Sequence, residues 1–314
     1  MKAVFHYDAG PRLRARLDEL VGEGFAVTPC PEADDSRLAA LLPEAEVLLH
    51  VLKPVTAAAI ALAPRLRLIQ KIGVGVNTID LDAARARGIA VANMPGTNTQ
   101  AVAEAALLLM LAALRNLAGL DRACRAGLGW ARGPDMQERG GELRGRTVGL
   151  VGAGMVPRAL APMLRGFGAE AVYWSPHDHP ELGIPRRDLP DLLAGADIVS
   201  LHLPLVPETE QLIDHAALQR MKPGAVLVNT ARGGLVDEAA LVEALSAGHL
   251  RAAGLDVFAA EPVAADNPLL RLDNVMLMPH VAWLTPETLD RSLDIAVENM
   301  RRLRDGRTLL HRVV

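Results

Sequence analysis

Aromatic residues are scarce in this chain. They make up 3% of its 314 residues, although 50% of the residues are hydrophobic. A chain of this length and composition can bury a large core, built mostly from Ala, Leu and Val, and we expect two domains or one large one. Charge of one sign is also lacking, because the formal net charge is only −4. This near balance gives no reason to expect a nucleic acid or an anionic membrane as a partner.

Cysteine is equally scarce, with Cys30 and Cys124 as the two residues of this type. They lie far apart and lack the spacing of metal ligands, so the sequence predicts neither a disulfide framework nor a metal site and fits a reducing cytoplasm. The longest apolar stretch, 105–114, is too short to cross a bilayer. The opening residues, MKAVFHYDAG, are too poor in apolar residues to resemble a secretory signal. We therefore expect a soluble protein.

What the chain does have is a regular alternation of short apolar runs and helical patterns, which is typical of βα units and a parallel sheet. In the first part of the chain, the strand candidates are Lys2–His6, Val47–His50, 68–72 and 89–92, and the helical patterns include 11–21 and 55–62. A long helix over 100–117 is apolar on nearly all sides, so it either runs through a core or forms a subunit interface. A last helix is predicted over 285–304, with Thr285 as its N-cap and Pro286 in its first position.

The second part of the chain contains a further series of apolar runs that end in polar residues or glycine turns. The runs are 147–153, 171–174, 197–203, 225–230, 252–257 and 275–278. The residues at or just past their ends are, in order, Gly152, Ser175, His202, Arg232, Asp256 and His280. Because ligands of open parallel sheets bind at the carboxyl ends of the strands, this series predicts a lined cleft.

The run 147–168, TVGLVGAGMVPRALAPMLRGFG, nearly matches the G-x-G-x-x-G fingerprint of dinucleotide-binding units. Gly152 and Gly154 would let the backbone approach a pyrophosphate, and the start of the following helix would offer free N–H groups. Pro157 takes the place of the third glycine. It would lie in the first turn of the helix, where a missing N–H costs little, so the anion site should survive. Taken alone, the match fits a glycine turn of any βα unit equally well.

The second part of that fingerprint is an acidic residue about twenty positions on, which bonds the ribose 2′-OH. Its place is taken by Ser175, in the segment VYWSPHDH. A serine can donate a hydrogen bond to a 2′-phosphate, whereas an acid would repel it. Positive charge could come from His177, His179, Arg186 or Arg187. If the turn binds a dinucleotide, we therefore expect NAD or NADP, with NADP slightly favoured by Ser175 and NAD kept open by Asp178.

Seven segments together resemble one family, the D-isomer-specific 2-hydroxyacid dehydrogenases. They are KIGVGVNTIDL, NMPGTNTQAVAE, ELRGRTVGLVGAG, DIVSLHLPLVPET, VNTARGGLVDEAAL, AAGLDVFAAEP and MPHVAWLTPET. The resemblance implies an α/β fold of two doubly wound parallel-sheet domains. It implies a Rossmann-type cofactor domain, 99–283, inserted into a flavodoxin-like substrate domain, 1–98 and 284–314. It also implies an active-site cleft and a homodimer, with helix 100–117 as the interface candidate.

The resemblance implies a catalytic role for Arg232, Glu261 and His280. It makes His280 the acid/base that exchanges a proton with the substrate oxygen, a task that suits an imidazole near neutral pH. Glu261 is then the partner carboxylate that fixes the tautomer and stabilises the imidazolium. Arg232 anchors the substrate carboxylate, because its planar fork matches that group in bidentate fashion. Each has a structural alternative when taken singly: an ordinary strand-end His, a solvated turn Glu and a helix-capping Arg.

The remaining site residues are implied in the same way. Asp256 is expected to bond the nicotinamide carboxamide, with a helix N-cap as the alternative. Val74 and Gly75 are expected to receive the substrate carboxylate, and Trp283 either walls the substrate pocket or packs between domains. The expected cofactor-binding residues are Gly152, Gly154, Met155, Val156, Ser175, His202, Pro204, Thr230, Ala231 and Asp256.

These features predict an NAD(P)-dependent reductase of a small 2-keto acid, such as glyoxylate, hydroxypyruvate or pyruvate, that forms the D-hydroxyacid. Departures from the family pattern fall at Asn77, Met155, Pro157 and Ser175, and they bear on cofactor choice more than on reaction type. One alternative is a non-catalytic nucleotide-sensing protein on the same scaffold. Another is a dehydrogenase with a formate- or phosphite-like hydride donor, although that chemistry needs no proton donor to a carbonyl.

Overall fold

The computed structural model describes residues 1–130 and 140–314. The strands are β1 (Lys2–His6), β2 (Ala26–Cys30), β3 (Val47–His50), β4 (Leu68–Lys71), β5 (Ala90–Ala92), β6 (Thr147–Val151), β7 (Glu170–Trp174), β8 (Ile198–Leu201), β9 (Val226–Asn229), β10 (Ala252–Leu255) and β11 (Val275–Leu277). The α-helices are α1 (Pro11–Glu19), α2 (Asp35–Leu41), α3 (Ala57–Ala61), α4 (Leu81–Ala86), α5 (Thr99–Arg115), α6 (Leu117–Arg125), α7 (Met155–Gly166), α8 (Leu189–Gly195), α9 (His215–Arg220), α10 (Glu238–Ser246) and α11 (Pro286–Arg304).

The chain divides into two compact units, each built on its own parallel sheet. The first unit consists of Met1–Asn98 and Thr285–Val314, and the second is Thr99–Leu284. All strand pairs in both sheets are parallel, with helices in the connections. The predicted class, two parallel-sheet α/β domains, is therefore confirmed.

The sheet of the first unit has five strands in the order β2-β1-β3-β4-β5. This is the flavodoxin-like order, in which the chain reverses direction across the sheet between β1 and β3. Strand β2 was missing from the strands predicted by the apolar pattern. Its sequence, AVTPC, contains Pro29 and starts with an exposed residue. A proline is tolerated there because β2 lies at the edge of the sheet.

The last helix, α11, belongs to the first unit and begins as predicted. The Thr285 hydroxyl accepts a hydrogen bond from the Thr288 N–H at 3.1 Å, and Pro286 occupies the first helical position. Farther along, the buried Asn299 amide donates to the Gln70 side chain on β4 at 2.6 Å. The helix is thus fixed to the sheet by a polar contact as well as by its apolar face.

The sheet of the second unit has six strands in the order β11-β10-β9-β8-β6-β7. Beyond β7, Tyr173 and Arg186 form one more parallel bridge, with hydrogen bonds from Tyr173 N to Pro185 O and from Arg187 N to Tyr173 O. With this bridge counted as a short third strand, the order is 3-2-1-4-5-6-7. The first six positions are those of the Rossmann fold, and β11 is the seventh. The switch point, where ligands bind in such sheets, lies between β6 and β8.

Helix α5 lies in the core of the second unit. Most of its residues are buried, and it packs against α7, β9 and β10. A Cβ on Gly254 of β10 would lie 2.8 Å from Leu109 Cβ, so the glycine permits the close approach of the helix. The helix ends where Asn116 adopts a left-handed φ of 48°, and α6 begins in a new direction. In the described ranges no single helix is long and apolar enough to span a membrane, and the bent pair α5–α6 passes by length and composition only.

Candidate active site

The turn between β6 and α7 requires glycine at its first position. Gly152 has a φ of 119°, and a Cβ there would lie 2.6 Å from the His202 carbonyl oxygen. Its N–H donates to the Trp174 carbonyl at 2.8 Å, which joins the turn to the end of β7. Gly154 is different, because a Cβ built on it meets nothing within 4 Å. A side chain at Gly154 would therefore fill open space in front of the turn.

The start of α7 supplies donors next to that open space. Gly154 is the N-cap, and Met155 and Val156 are the first helical residues. The N–H groups of a first helical turn have no intrahelical partners and carry a partial positive charge. As predicted, Pro157 lies in this turn, and the structure shows that it is also buried. The proline thus removes one donor and leaves the others, and the turn fits a pyrophosphate.

The end of β7 carries Ser175, which is buried. Its carbonyl accepts a hydrogen bond from Arg186 Nη2 at 3.0 Å. Nearby, Asp178 Oδ1 accepts from the Tyr173 hydroxyl at 2.7 Å and from the His179 N–H at 3.0 Å. Asp178, the acid that could bond a ribose, therefore has one carboxylate oxygen occupied by hydrogen bonds at the edge of the sheet.

His202 follows β8 on the other side of the switch point. Its Nε2 lies 2.9 Å from Ser200 Oγ. Burial lowers the pKa of His202 to about 3, so the imidazole is neutral at physiological pH. Two residues later, the Pro204 carbonyl accepts from the Thr209 hydroxyl at 2.7 Å. The His202 ring thus adds no charge next to the glycine turn.

The loop after β9 is fixed by a residue that the sequence did not single out, Asn229. Its buried side chain donates to the Arg232 carbonyl at 2.8 Å and accepts from the Ala231 N–H at 3.0 Å. The signal that could have found it is a polar residue at the end of an otherwise apolar strand, VLVN. The Thr230 hydroxyl is buried and has no hydrogen-bond partner among the described residues. A buried, unsatisfied hydroxyl is costly, so this group is suited to a ligand.

Arg232 lies where the loop after β9 passes close to the backbone of Phe258. A Cβ on the next residue, Gly233, would lie 1.9 Å from the Phe258 carbonyl carbon, so only glycine fits there. The guanidinium donates through Nη1 to the Ala231 carbonyl at 2.6 Å. Burial lowers the pKa of Arg232 and the negative charge of Glu261 raises it. Arginine stays protonated in proteins, so the site contains a positive charge.

His280 and Glu261 form an ion-pair geometry in the second unit. His280 Nδ1 lies 2.6 Å from Glu261 Oε2, and Glu261 Oε1 accepts from the Phe258 N–H at 2.9 Å. Burial raises the pKa of Glu261, but the hydrogen bond and charge of His280, the Phe258 N–H and the charge of Arg232 together hold it below its usual value. Glu261 is therefore ionised, and the ring nitrogen of His280 that it engages is Nδ1.

Asp256 holds the backbone of the loop that carries His280. Its Oδ1 accepts from the N–H groups of Val281 at 2.8 Å and Ala282 at 3.1 Å, and its carbonyl accepts from the His280 N–H at 2.7 Å. Burial raises the pKa of Asp256, against the effect of these N–H donors. His280 itself has a left-handed φ of 57°. We call the bonds from Val281 N–H and Ala282 N–H to the carboxylate the Asp256 clamp. The sequence pattern did not predict it. The alternative given for Asp256 was a helix N-cap, whereas the carboxylate caps a turn.

Trp283 contributes to the same loop. It is buried, and its Nε1 donates to the His280 carbonyl at 3.1 Å.

Val74 and Gly75 lie in the first unit, in the turn after β4. Val74 is 45% exposed, and its carbonyl accepts from the Asn93 side chain at 2.9 Å. The described ranges contain no group of three or more metal-ligating side chains.

Three comparisons with known proteins bear on this site. Residues 107–282 match the family model for the "D-isomer specific 2-hydroxyacid dehydrogenase, NAD binding domain". The D-3-phosphoglycerate dehydrogenase of Mycobacterium leprae is 44% identical over 273 residues, which cover 85% of this chain and 51% of that protein. The glyoxylate reductase of Korarchaeum cryptofilum is 40% identical over 257 residues, which cover 81% and 77%. The chain thus spans about half the length of the first of these relatives.

Among solved structures, the TT0316 protein from Thermus thermophilus superimposes with a TM-score of 0.91 at 38% identity, with 100% of both chains covered. Similarity of this extent covers both units and every strand described above.

Proposed function

The chain belongs to the D-isomer-specific 2-hydroxyacid dehydrogenase family, and we propose that it transfers a hydride between a nicotinamide dinucleotide and a small 2-keto or 2-hydroxy acid of the D series. The observation that carries the proposal is the contact of 2.6 Å between His280 Nδ1 and Glu261 Oε2, close to the partly buried cation Arg232. A proton donor beside an anchor for a carboxylate is the pair of groups that reduction of a 2-keto acid requires.

Arg232 binds the substrate carboxylate. Its guanidinium can form two parallel hydrogen bonds with a carboxylate, and its partial burial strengthens this interaction because less water competes. The Asn229 bonds fix the backbone of the loop, and the bond from Nη1 to the Ala231 carbonyl holds the guanidinium, so the ketone is positioned rather than merely attracted. A nicotinamide dinucleotide, when bound, supplies the hydride to the ketone carbon.

His280 supplies the proton to the ketone oxygen. Since Glu261 engages Nδ1, the nitrogen that exchanges the proton is Nε2. The Glu261 carboxylate stabilises the imidazolium before reduction, and it stabilises the imidazolium that forms when the reaction runs as an oxidation. The Asp256 clamp and the bond from Trp283 Nε1 hold the loop that carries His280. The imidazole is therefore already in position before the substrate binds.

The cofactor would lie along the carboxyl edge of the second unit's sheet. Gly152, Gly154, Met155 and Val156 would bind its pyrophosphate, and Ser175 would approach the 2′ position of the adenine ribose. We assign the nicotinamide side to His202, Pro204, Thr230, Ala231 and Asp256. Support for this assignment comes from the open space at Gly154 and from the unsatisfied Thr230 hydroxyl, which finds no partner within the described part of the chain. Either NAD or NADP is compatible, and Ser175 favours NADP.

On the substrate side we assign Val74, Gly75 and Trp283. The substrate itself is a small 2-keto acid or its hydroxyacid, with D-3-phosphoglycerate and glyoxylate as candidates from the names of the relatives. We also propose a homodimer. A formate-like donor is less favoured, because its oxidation leaves the His280–Glu261 pair without a proton to transfer.

The experiment is a parallel assay of NADPH and NADH oxidation with glyoxylate, hydroxypyruvate and pyruvate, together with oxidation of D-3-phosphoglycerate. Turnover that His280→Asn abolishes supports the proposal. A folded wild-type protein that binds NADPH or NADH and turns over none of these acids would instead indicate a nucleotide-sensing protein. Turnover that survives His280→Asn would contradict the assigned proton donor.

A further inference from the structure

The place where a cofactor's 2′-phosphate would lie is set by the glycine turn and the end of β7. In a Rossmann unit the residue at the end of the second strand faces the 2′ position of the adenine ribose. Here that residue is Ser175, and the bond from Gly152 N to Trp174 O, 2.8 Å long, holds this strand end against the glycine turn. A group within hydrogen-bond distance of Ser175 is therefore close to that phosphate.

Arg186 is such a group, and it lies on the short bridge beside β7. The parallel bridge between Arg186 and Tyr173 replaces a full third strand. From this bridge the guanidinium reaches back to the Ser175 carbonyl, with an Nη2–O distance of 3.0 Å. That contact uses one of five N–H donors and brings no negative charge, and the residue is exposed. The guanidinium therefore has donors to spare within reach of a ligand.

Two other basic side chains at this edge are engaged by a carboxylate. Arg158 on α7 and the His179 ring both contact one carboxylate oxygen, Glu181 Oε1. The hydrogen bond from His179 and the charge of Arg158 contribute to holding the pKa of Glu181 below its usual value, so it is ionised. Asp178 adds a second negative charge, with Oδ1 held by the Tyr173 hydroxyl. Arg158 and His179 therefore offer a phosphate less than Arg186 does.

We propose that Arg186 is the residue that binds the 2′-phosphate of NADP(H), and that Glu181 limits this binding by holding Arg158 and His179. The planar guanidinium fork matches phosphate oxygens, and such charge-assisted hydrogen bonds are the strong ones. The inference rests on the proposed function for the choice of ligand. It adds a specificity-determining residue, because NADH lacks the group that Arg186 would recognise.

The test measures binding of 2′,5′-ADP and of ADP by calorimetry, so that it needs no turnover. Arg186→Gln should weaken 2′,5′-ADP binding about tenfold and ADP binding less than about twofold, since one charged hydrogen-bonded contact is lost. Arg186→Lys should keep part of the preference. Glu181→Gln should tighten 2′,5′-ADP binding by about two- to fivefold, because it removes a negative charge and releases Arg158 and the His179 ring at an exposed site. The matched control is Arg187→Gln, since Arg187 is the neighbouring residue of equal charge and donates at 3.5 Å to the Arg186 carbonyl.

Two results would overturn the inference. One is equal affinity of the wild-type protein for 2′,5′-ADP and ADP. The other is an equal loss for Arg186→Gln and Arg187→Gln. Failure of the proposed function looks different: the selective loss in Arg186→Gln would be seen, but no keto acid would be reduced. Conversely, turnover that prefers NADH, with Arg186→Gln indifferent to 2′,5′-ADP, would leave the proposed function standing and remove Arg186 from it.

Discussion

Replacement of Glu261 by glutamine should impair proton transfer while leaving the fold intact. Glutamine has the same shape and can still accept the Phe258 N–H through its side-chain oxygen, a bond of 2.9 Å in the native protein. What it removes is the charge beside His280, whose Nδ1 lies 2.6 Å from Glu261 Oε2. A hydrogen bond to a charged group contributes about 1.5–3 kcal/mol. Since each ~1.36 kcal/mol is a factor of ten in rate, kcat/KM should fall roughly 10- to 100-fold.

The assay is steady-state reduction of whichever 2-keto acid the wild-type protein accepts, with NAD(P)H affinity measured alongside. A matched control is Glu238→Gln. The Glu238 carboxylate supports the same loop through Ala259 N at 3.0 Å and Asn267 Nδ2 at 2.7 Å. If Glu261→Gln retained more than about a third of the wild-type kcat/KM, or if Glu238→Gln lost as much, the reasoning about the carboxylate would be refuted.

Three further outcomes are expected. Gly154→Ala should leave the melting temperature unchanged and weaken dinucleotide binding. Gly152→Ala should lower both the melting temperature and the affinity, because only a Cβ at Gly152 meets a backbone atom, His202 O at 2.6 Å. Calorimetry and thermal melts measure the two effects, and native affinity in Gly154→Ala would contradict the assigned turn. Asp256→Ala should lower kcat and the melting temperature together, since two loop N–H groups lose their acceptor; native kinetics would remove Asp256 from the site. Burial lowers the pKa of His6 from 6.5, so the unfolded chain binds the proton first and stability should fall as pH drops below about 6.5; His6→Leu should flatten the fall in melting temperature with pH, and an unchanged slope would contradict the assignment.

The strands were the most predictable part of the fold. Runs such as Val47–His50 and Val226–Asn229 are buried on both faces of parallel sheets, so they are continuous apolar stretches in the sequence. Strand β2 was missed because an edge position tolerates its proline and polar residues. The break at Asn116 was also missed, since a left-handed residue inside an apolar helical pattern leaves no periodic signal.

Part of the candidate site could be anticipated from where polar residues follow strands. The carboxyl ends of parallel strands share one edge, and the structure places Arg232, Glu261 and His280 in one cluster of the second unit. The supporting contacts could not be anticipated. The Asp256 clamp and the Asn229 bonds depend on backbone N–H groups, whose directions follow from loop conformation and leave no pattern in the letters.

The central claim is that His280 exchanges a proton with a 2-keto acid anchored by Arg232. The most direct measurement is single-turnover reduction of the accepted keto acid by the NAD(P)H-loaded protein, in the wild type and in His280→Asn. The account predicts a full burst of cofactor oxidation in the wild type, and cofactor binding without oxidation in the variant. Cofactor oxidation at comparable rates in both would contradict it.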